Sequence, residues 1–216
     1  MKTNNVTFTS KINFVQEGIF KQKSSGTYID ISWSNDIIKK VTNTNIWTDG
    51  VRTCTAGGAV NTKTGEAAAF HFYDCRKYFN KCEQLVSNVL DLVPGADRVM
   101  VLGGKELPLR KYSKLSFLKF RDTFSKYIKN VTSFGIHTYP NSESNILYSA
   151  SADEWFINTL FGKNSHWYYK NVDSVEDILE NFKHISIAEG DNIFIGNKPV
   201  KFPNNIPLNN KNSSQP

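Results

Sequence analysis

No run of about 18 apolar residues occurs anywhere in this 216-residue chain, which excludes a membrane-spanning helix. Cysteine is scarce. Cys54, Cys75 and Cys82 are the only three, with no CxxC spacing, so a disulfide framework is not expected. The four histidines, His71, His137, His166 and His184, lie far apart and none has the HExxH spacing, so no structural zinc is expected. Arginine is also sparse, 5 against 21 lysines. Bidentate reading of phosphates and bases favours arginine, which argues against a nucleic-acid specialist. The opening MKTNNVTFTS has no apolar stretch of the kind a secretory leader carries, so none is expected. No internal repeat or long low-complexity linker interrupts the chain.

What is present is the composition of a folded domain: 39% hydrophobic, 13% aromatic and 21% charged residues. The net charge is +6, and its placement is uneven. Residues 105–129 hold Lys105, Arg110, Lys111, Lys114, Lys119, Arg121, Lys126 and Lys129 against Glu106 and Asp122, so 8 − 2 = +6 falls in that one segment. It reads as a solvated helix face or as a site for an acidic partner.

The elements follow from periodicity. Thr27–Trp33 alternates as a half-buried strand, and Val41–Gly50 reads as an extended approach. Arg52–Val60 and Glu66–Tyr73 read as a hairpin around a polar turn, Asn61 to Gly65. Arg76–Leu92 has helical spacing, stopped by Pro94-Gly95. Arg98–Leu102 is a short buried strand ending at Gly103-Gly104. Lys114–Lys129 is an amphipathic helix with Phe117, Phe120, Phe124, Tyr127 and Ile128 on one face. Val131–Tyr139 and Asn145–Ser149 read as strands, Ala152–Phe161 as a helix, and Asp173–Phe182 as a helix with an Asp173 to Glu176 capping box. The expectation is an α+β fold, a layered, sandwich-like mixed β-sheet flanked by amphipathic helices. Residues 1–202 would form one domain, and 203–216, rich in Asn, Pro and Ser, a disordered tail.

The hairpin carries the chemistry. A four-residue loop, Asn61 to Thr64, would put Cys54 directly across from His71, where facing Cβ atoms lie about 4.5–5.5 Å apart. An imidazolium there would lower the thiol pKa and give a nucleophilic thiolate. Ala56, Gly57, Gly58, Ala59 and Ala67–Ala69 are small for strands; they leave room for a substrate, or merely admit close packing. The competing reading of Cys54 is a buried small hydrophobe. Cys75 and Cys82 read as packing on a helix face. His137 reads as core or surface at a strand end, His166 as part of an aromatic cluster, and His184 as a helix-closing cation.

Thr48, Cys54 and His71 stand at the spacing Thr, five residues, Cys, sixteen residues, His. A helix, a strand ending in RVMVLGG and a further helix follow. In these features residues 45–150 resemble the CheD-type chemoreceptor glutamine deamidases, whose fold is shared by the cytotoxic necrotizing factor toxins and small lethal-factor deamidases. Val51-Arg52-Thr53 stands before Cys54 where CheD has Gly-Ser and the toxins Leu-Ser-Gly. Extra segments at 1–40 and 160–216 lean towards a toxin or effector relative. The resemblance implies a CheD-like fold and a protein glutamine deamidase, with Cys54 as nucleophile, His71 as base and Thr48 orienting the ring. It implies no cofactor or metal, and a partner that is a protein carrying the target glutamine. The location implied is soluble, in the bacterial cytoplasm or in a host cell. A non-catalytic binding module of the same fold and a cysteine peptidase are the alternatives.

Overall fold

The computed structural model describes residues 10–30, 37–139, 141–162 and 170–203. In chain order the elements are β1 (Lys11–Phe14), α1 (Glu17–Lys23), β2 (Thr27–Tyr28), β3 (Ile38–Thr42), β4 (Asn45–Val51), β5 (Thr55–Asn61), β6 (Glu66–Phe72), α2 (Arg76–Asn80), α3 (Cys82–Leu92), β7 (Arg98–Lys105), α4 (Lys111–Ser125), β8 (Asn130–His137), β9 (Glu143–Ser149), β10 (Glu154–Phe161), β11 (Lys170–Asn171), α5 (Val175–Asn181), β12 (Phe182–Ser186), β13 (Asn192–Ile195) and β14 (Lys198–Val200).

Two mixed sheets form the core. One runs β14-β13-β1-β10-β9-β4-β2, with β11 on β10; the other runs β12-β8-β7-β5-β6-β3. Side-chain alternation sorts the second sheet. Ala56, Val60, Ala67, Ala69, Met100 and Leu102 face the first sheet, where Ile12, Phe14, Ile46, Ile146, Tyr148, Trp155 and Ile157 meet them. Ala59, Ala68, Phe70, Phe72, Val99 and Val101 face outward, under α3 and α4. There Phe70, Phe72, Phe120 and Phe124 stack, with centroids 4.6–6.5 Å apart. On the far side α1 covers the first sheet through Phe20, against Trp47. The layered α+β expectation holds at this level.

Several elements differ from their sequence readings. Residues 154–161 form a strand, not a helix, because WFINTLF is buried on both faces between β9 and β1 and so shows no alternation. Val41–Gly50 is split between β3 and β4, one in each sheet. Lys81 divides the helix expected over 76–92, so Cys75 precedes α2 half-buried, while Cys82 is buried on α3, 3.5 Å from Thr123 Oγ1. Helix α4 begins three residues early and ends at Ser125, and Tyr127 beyond it is 61% exposed. The cap of α5 is Ser174, whose Oγ accepts from Asp177 N at 3.1 Å, not Asp173. His184 lies in β12 rather than closing a helix. Residues 31–33, His166 and the tail beyond 203 lie outside the described residues.

Candidate active site

The Arg52–Cys54 link carries the chain from β4 in one sheet to β5 in the other. A register shift between Thr48 and Val51, paired to Ile146 and Ser144, marks a β-bulge just before the crossing, where strands change direction. Thr48 therefore points inward from the first sheet and His71 inward from the second. Their contact spans the layer: Thr48 Oγ1 lies 2.8 Å from His71 Nδ1.

The hydroxyl has one proton, and it is committed. Thr48 Oγ1 donates it to the Ile29 carbonyl oxygen at 3.0 Å. The 2.8 Å contact must then be His71 Nδ1–H donating to Oγ1, since a carbonyl can only accept. This network assigns the Nδ1–H tautomer and leaves Nε2 with its lone pair. Nε2 is buried and has no hydrogen-bond partner among the described residues. Burial pushes the His71 pKa down to about 3, so the ring is a neutral base.

Cys54 lies on the same face, but not where the turn count placed it. The loop has four residues, Thr62 to Gly65, one place later than expected. Ala56 therefore faces His71, and the ladder slips by two. An even slip preserves the face. Cys54 itself lies one residue before β5, outside the ladder, so it and His71 are not a facing pair. Among the described residues no hydrogen bond joins the thiol to His71. The Asp74 carboxylate and the Arg110 guanidinium both lie close enough to act on the thiol electrostatically. The backbone is pinned from the other side. Gly104 N donates to Cys54 O at 3.2 Å. A Cβ at Gly103 would stand 2.2 Å from that same oxygen, so only glycine lets β7 approach this closely.

The thiolate–imidazolium pair does not exist at rest. Cys54 is 6% exposed. Burial, then the Asp74 carboxylate, pushes its thiol up to about 12. The proton must move from sulfur to Nε2 as the attack occurs. The small residues do not open a cleft either. A Cβ on Gly58 would lie 2.9 Å from the Trp155 ring and 3.0 Å from Ala68 O, so these positions serve close packing.

Several neighbours leave no signal in residue pattern or spacing. Asp74, three residues past His71, has a carboxyl raised by burial and countered by Arg110, 3.7 Å away. The Ile29 acceptor is a main-chain atom and leaves no trace in residue types. At the same end of the sandwich, His137 Nε2 lies 3.4 Å from Ser144 Oγ, which lies 3.0 Å from Thr159 Oγ1. Ile136, just before it, has φ of 62°, a left-handed conformation rare for a β-branched residue. Lys105, paired with His137 across the ladder, is buried and donates from Nζ to Ser142 O at 2.8 Å. Burial, then Arg52, pulls its pKa down to about 8.

The basic segment is not one face. Lys105 points inward, Lys126 pairs with Glu83, Lys114 with Glu106, and Lys119 donates to Phe79 O. Among the described residues no helix is long and apolar enough to cross a membrane. No cluster of three or more His, Cys, Asp or Glu side chains could hold a metal among them.

No family model and no curated protein matches the chain.

Proposed function

We propose that this chain is a cysteine-dependent protein glutamine deamidase of CheD-like architecture, a relative of the toxin and effector enzymes. The observation that carries the reading is the Ile29–Thr48–His71 relay. It fixes an unprotonated, unpartnered Nε2 on the sheet face that also bears Cys54. A buried base without a donor costs stability, which is the usual mark of a group kept for chemistry.

In this reading Cys54 Sγ attacks the carboxamide carbon of a substrate glutamine while His71 Nε2 takes the thiol proton. The Cys54 N–H, which has no backbone acceptor among the described residues, faces the developing oxyanion. His71 then protonates the departing ammonia, leaving a thioester. Water adds with its proton going to His71, and the thioester opens to glutamate and the free thiol. Thr48 holds the ring throughout. No cofactor enters any step.

Ammonia release from dimethylated casein tests the activity, with intact mass reporting a gain of about one dalton per event. Wild-type chain should release ammonia, and Cys54→Ala and His71→Gln should not. Release that survives Cys54→Ala refutes the reading. A second reading is favoured by the closed, protonated thiol: a non-catalytic binding module of the same fold. It is the one left standing if neither casein nor lysate proteins yield thiol-dependent ammonia.

A further inference from the structure

One cation beside Cys54 is only loosely engaged. Arg110 is 60% exposed, and its ionic contact is Asp74 at 3.7 Å, too long for a hydrogen bond. Asp74 Oδ2 correspondingly has no hydrogen-bond partner among the described residues. Arg110 is nonetheless close enough that its charge draws the Cys54 thiol pKa down. Its guanidinium keeps a planar fork suited to a carboxylate. Next to it stands Leu109, at 95% the most exposed large hydrophobic residue among those described. Other cations border the same region. Arg52, two residues before Cys54, bonds Glu143 Oε2 at 2.7 Å, and Lys105 lies behind it. At the sulfur itself the Asp74 carboxylate outweighs Arg110, but the exposed Arg110 guanidinium, 3.7 Å from Asp74, can still take a second carboxylate, and Leu109 adds an apolar contact that an inorganic anion would not use.

We propose that Arg110 and Leu109 form the recognition point for the substrate: a carboxylate side chain with an apolar neighbour, close in sequence to the glutamine that Cys54 attacks. This rests on the deamidase reading for its purpose, but its physical content is separable. Removing Arg110 should disfavour a carboxylate brought to the thiol relative to a neutral group of the same shape.

Iodoacetate and iodoacetamide are such a pair. Both alkylate Cys54 by the same displacement of iodide, and mass spectrometry of the full chain gives the ratio of the two rates. Any change in thiol acidity cancels in that ratio. In Arg110→Gln the iodoacetate-to-iodoacetamide ratio should fall about fivefold, the size of one screened charge contact, and Arg110→Lys should restore much of it. An unchanged ratio in Arg110→Gln overturns the proposal. So does a Cys54 that refuses both reagents when folded but takes both when denatured, because a rim closed to a two-carbon acid is closed to a peptide. If the ratio is unmoved while thiol-dependent ammonia release persists, only this assignment falls. If the ratio shifts in a chain that deamidates nothing, the activity falls and the carboxylate-binding rim stands.

Discussion

Thr48→Val is the sharpest perturbation of the site. Valine keeps the volume and the β-branched shape and removes one hydroxyl. Two buried groups lose their partner at once: His71 Nδ1–H, its acceptor at 2.8 Å, and the Ile29 carbonyl, its donor at 3.0 Å. Both sit in a layer where Thr48 and His71 are almost fully enclosed, so water cannot replace the hydroxyl. A stranded buried donor or acceptor costs about 1–3 kcal/mol. The expected loss for the two groups is therefore about 2–6 kcal/mol, read as a lower midpoint in urea at unchanged slope. Thr48→Ser should recover most of it. The ring should also lose its tautomeric bias. ¹⁵N shifts of the imidazole should show a single Nδ1–H form in the wild type and a mixture in Thr48→Val, with ammonia release falling in step. A Thr48→Val chain within 0.5 kcal/mol of wild type, or a wild-type ring already mixed, would refute the relay.

Acid should unfold the protein in a defined window. His71 and His137 are held near pKa 3, against 6.5 when unfolded, so they favour folding above pH 6.5 and lose that contribution as pH falls towards 3. Asp191, raised to about 6 chiefly by burial, acts the other way and returns stability as pH falls from 6 to 3.8. By pH 4 these two histidines lose about 3 kcal/mol each and Asp191 restores about 3, so these three groups give a net loss of roughly 3–4 kcal/mol relative to pH 7, to which His184, lowered to about 4 chiefly by burial, adds. A flat unfolding free energy over that range counts against the neutral, buried rings. Gly103→Ala should lower stability by about 1–3 kcal/mol and depress ammonia release without touching the thiol, because its Cβ meets the Cys54 carbonyl at φ of 138°. Unchanged turnover in Gly103→Ala would mean that the Cys54 backbone position is not critical.

The sequence was most legible where periodicity had one meaning. Phe117, Phe120 and Phe124 declared a helix, and Glu66–Phe72 declared a strand. The Thr48, Cys54 and His71 spacing brought two of its three residues into contact. The third, Cys54, lies just outside the ladder and makes no hydrogen bond to His71 among the described residues, while the even error in locating the turn kept His71 on the inner face. Had the loop gained one residue, His71 would face α4 instead of Thr48. Legibility failed where burial was two-sided, as in WFINTLF, since a strand covered on both faces and a buried helix share the same residue types. It failed again for accessibility: nothing in Val51–Thr55 foretells that Cys54 would be almost fully enclosed.

The place of β1 bears on how the protein is made. Lys11–Phe14 lies parallel between β10 and β13, clasped by residues some 140 and 180 positions later. Its second neighbour does not exist until Ile195 has been synthesised. With contacts this distant in sequence, closure of the first sheet is slow, and it completes only after most of the described chain has been made. Until then an early, apolar segment stands without its flanking strands. Whatever else the cell does with this protein, it must keep that short piece solvated while the last strands arrive.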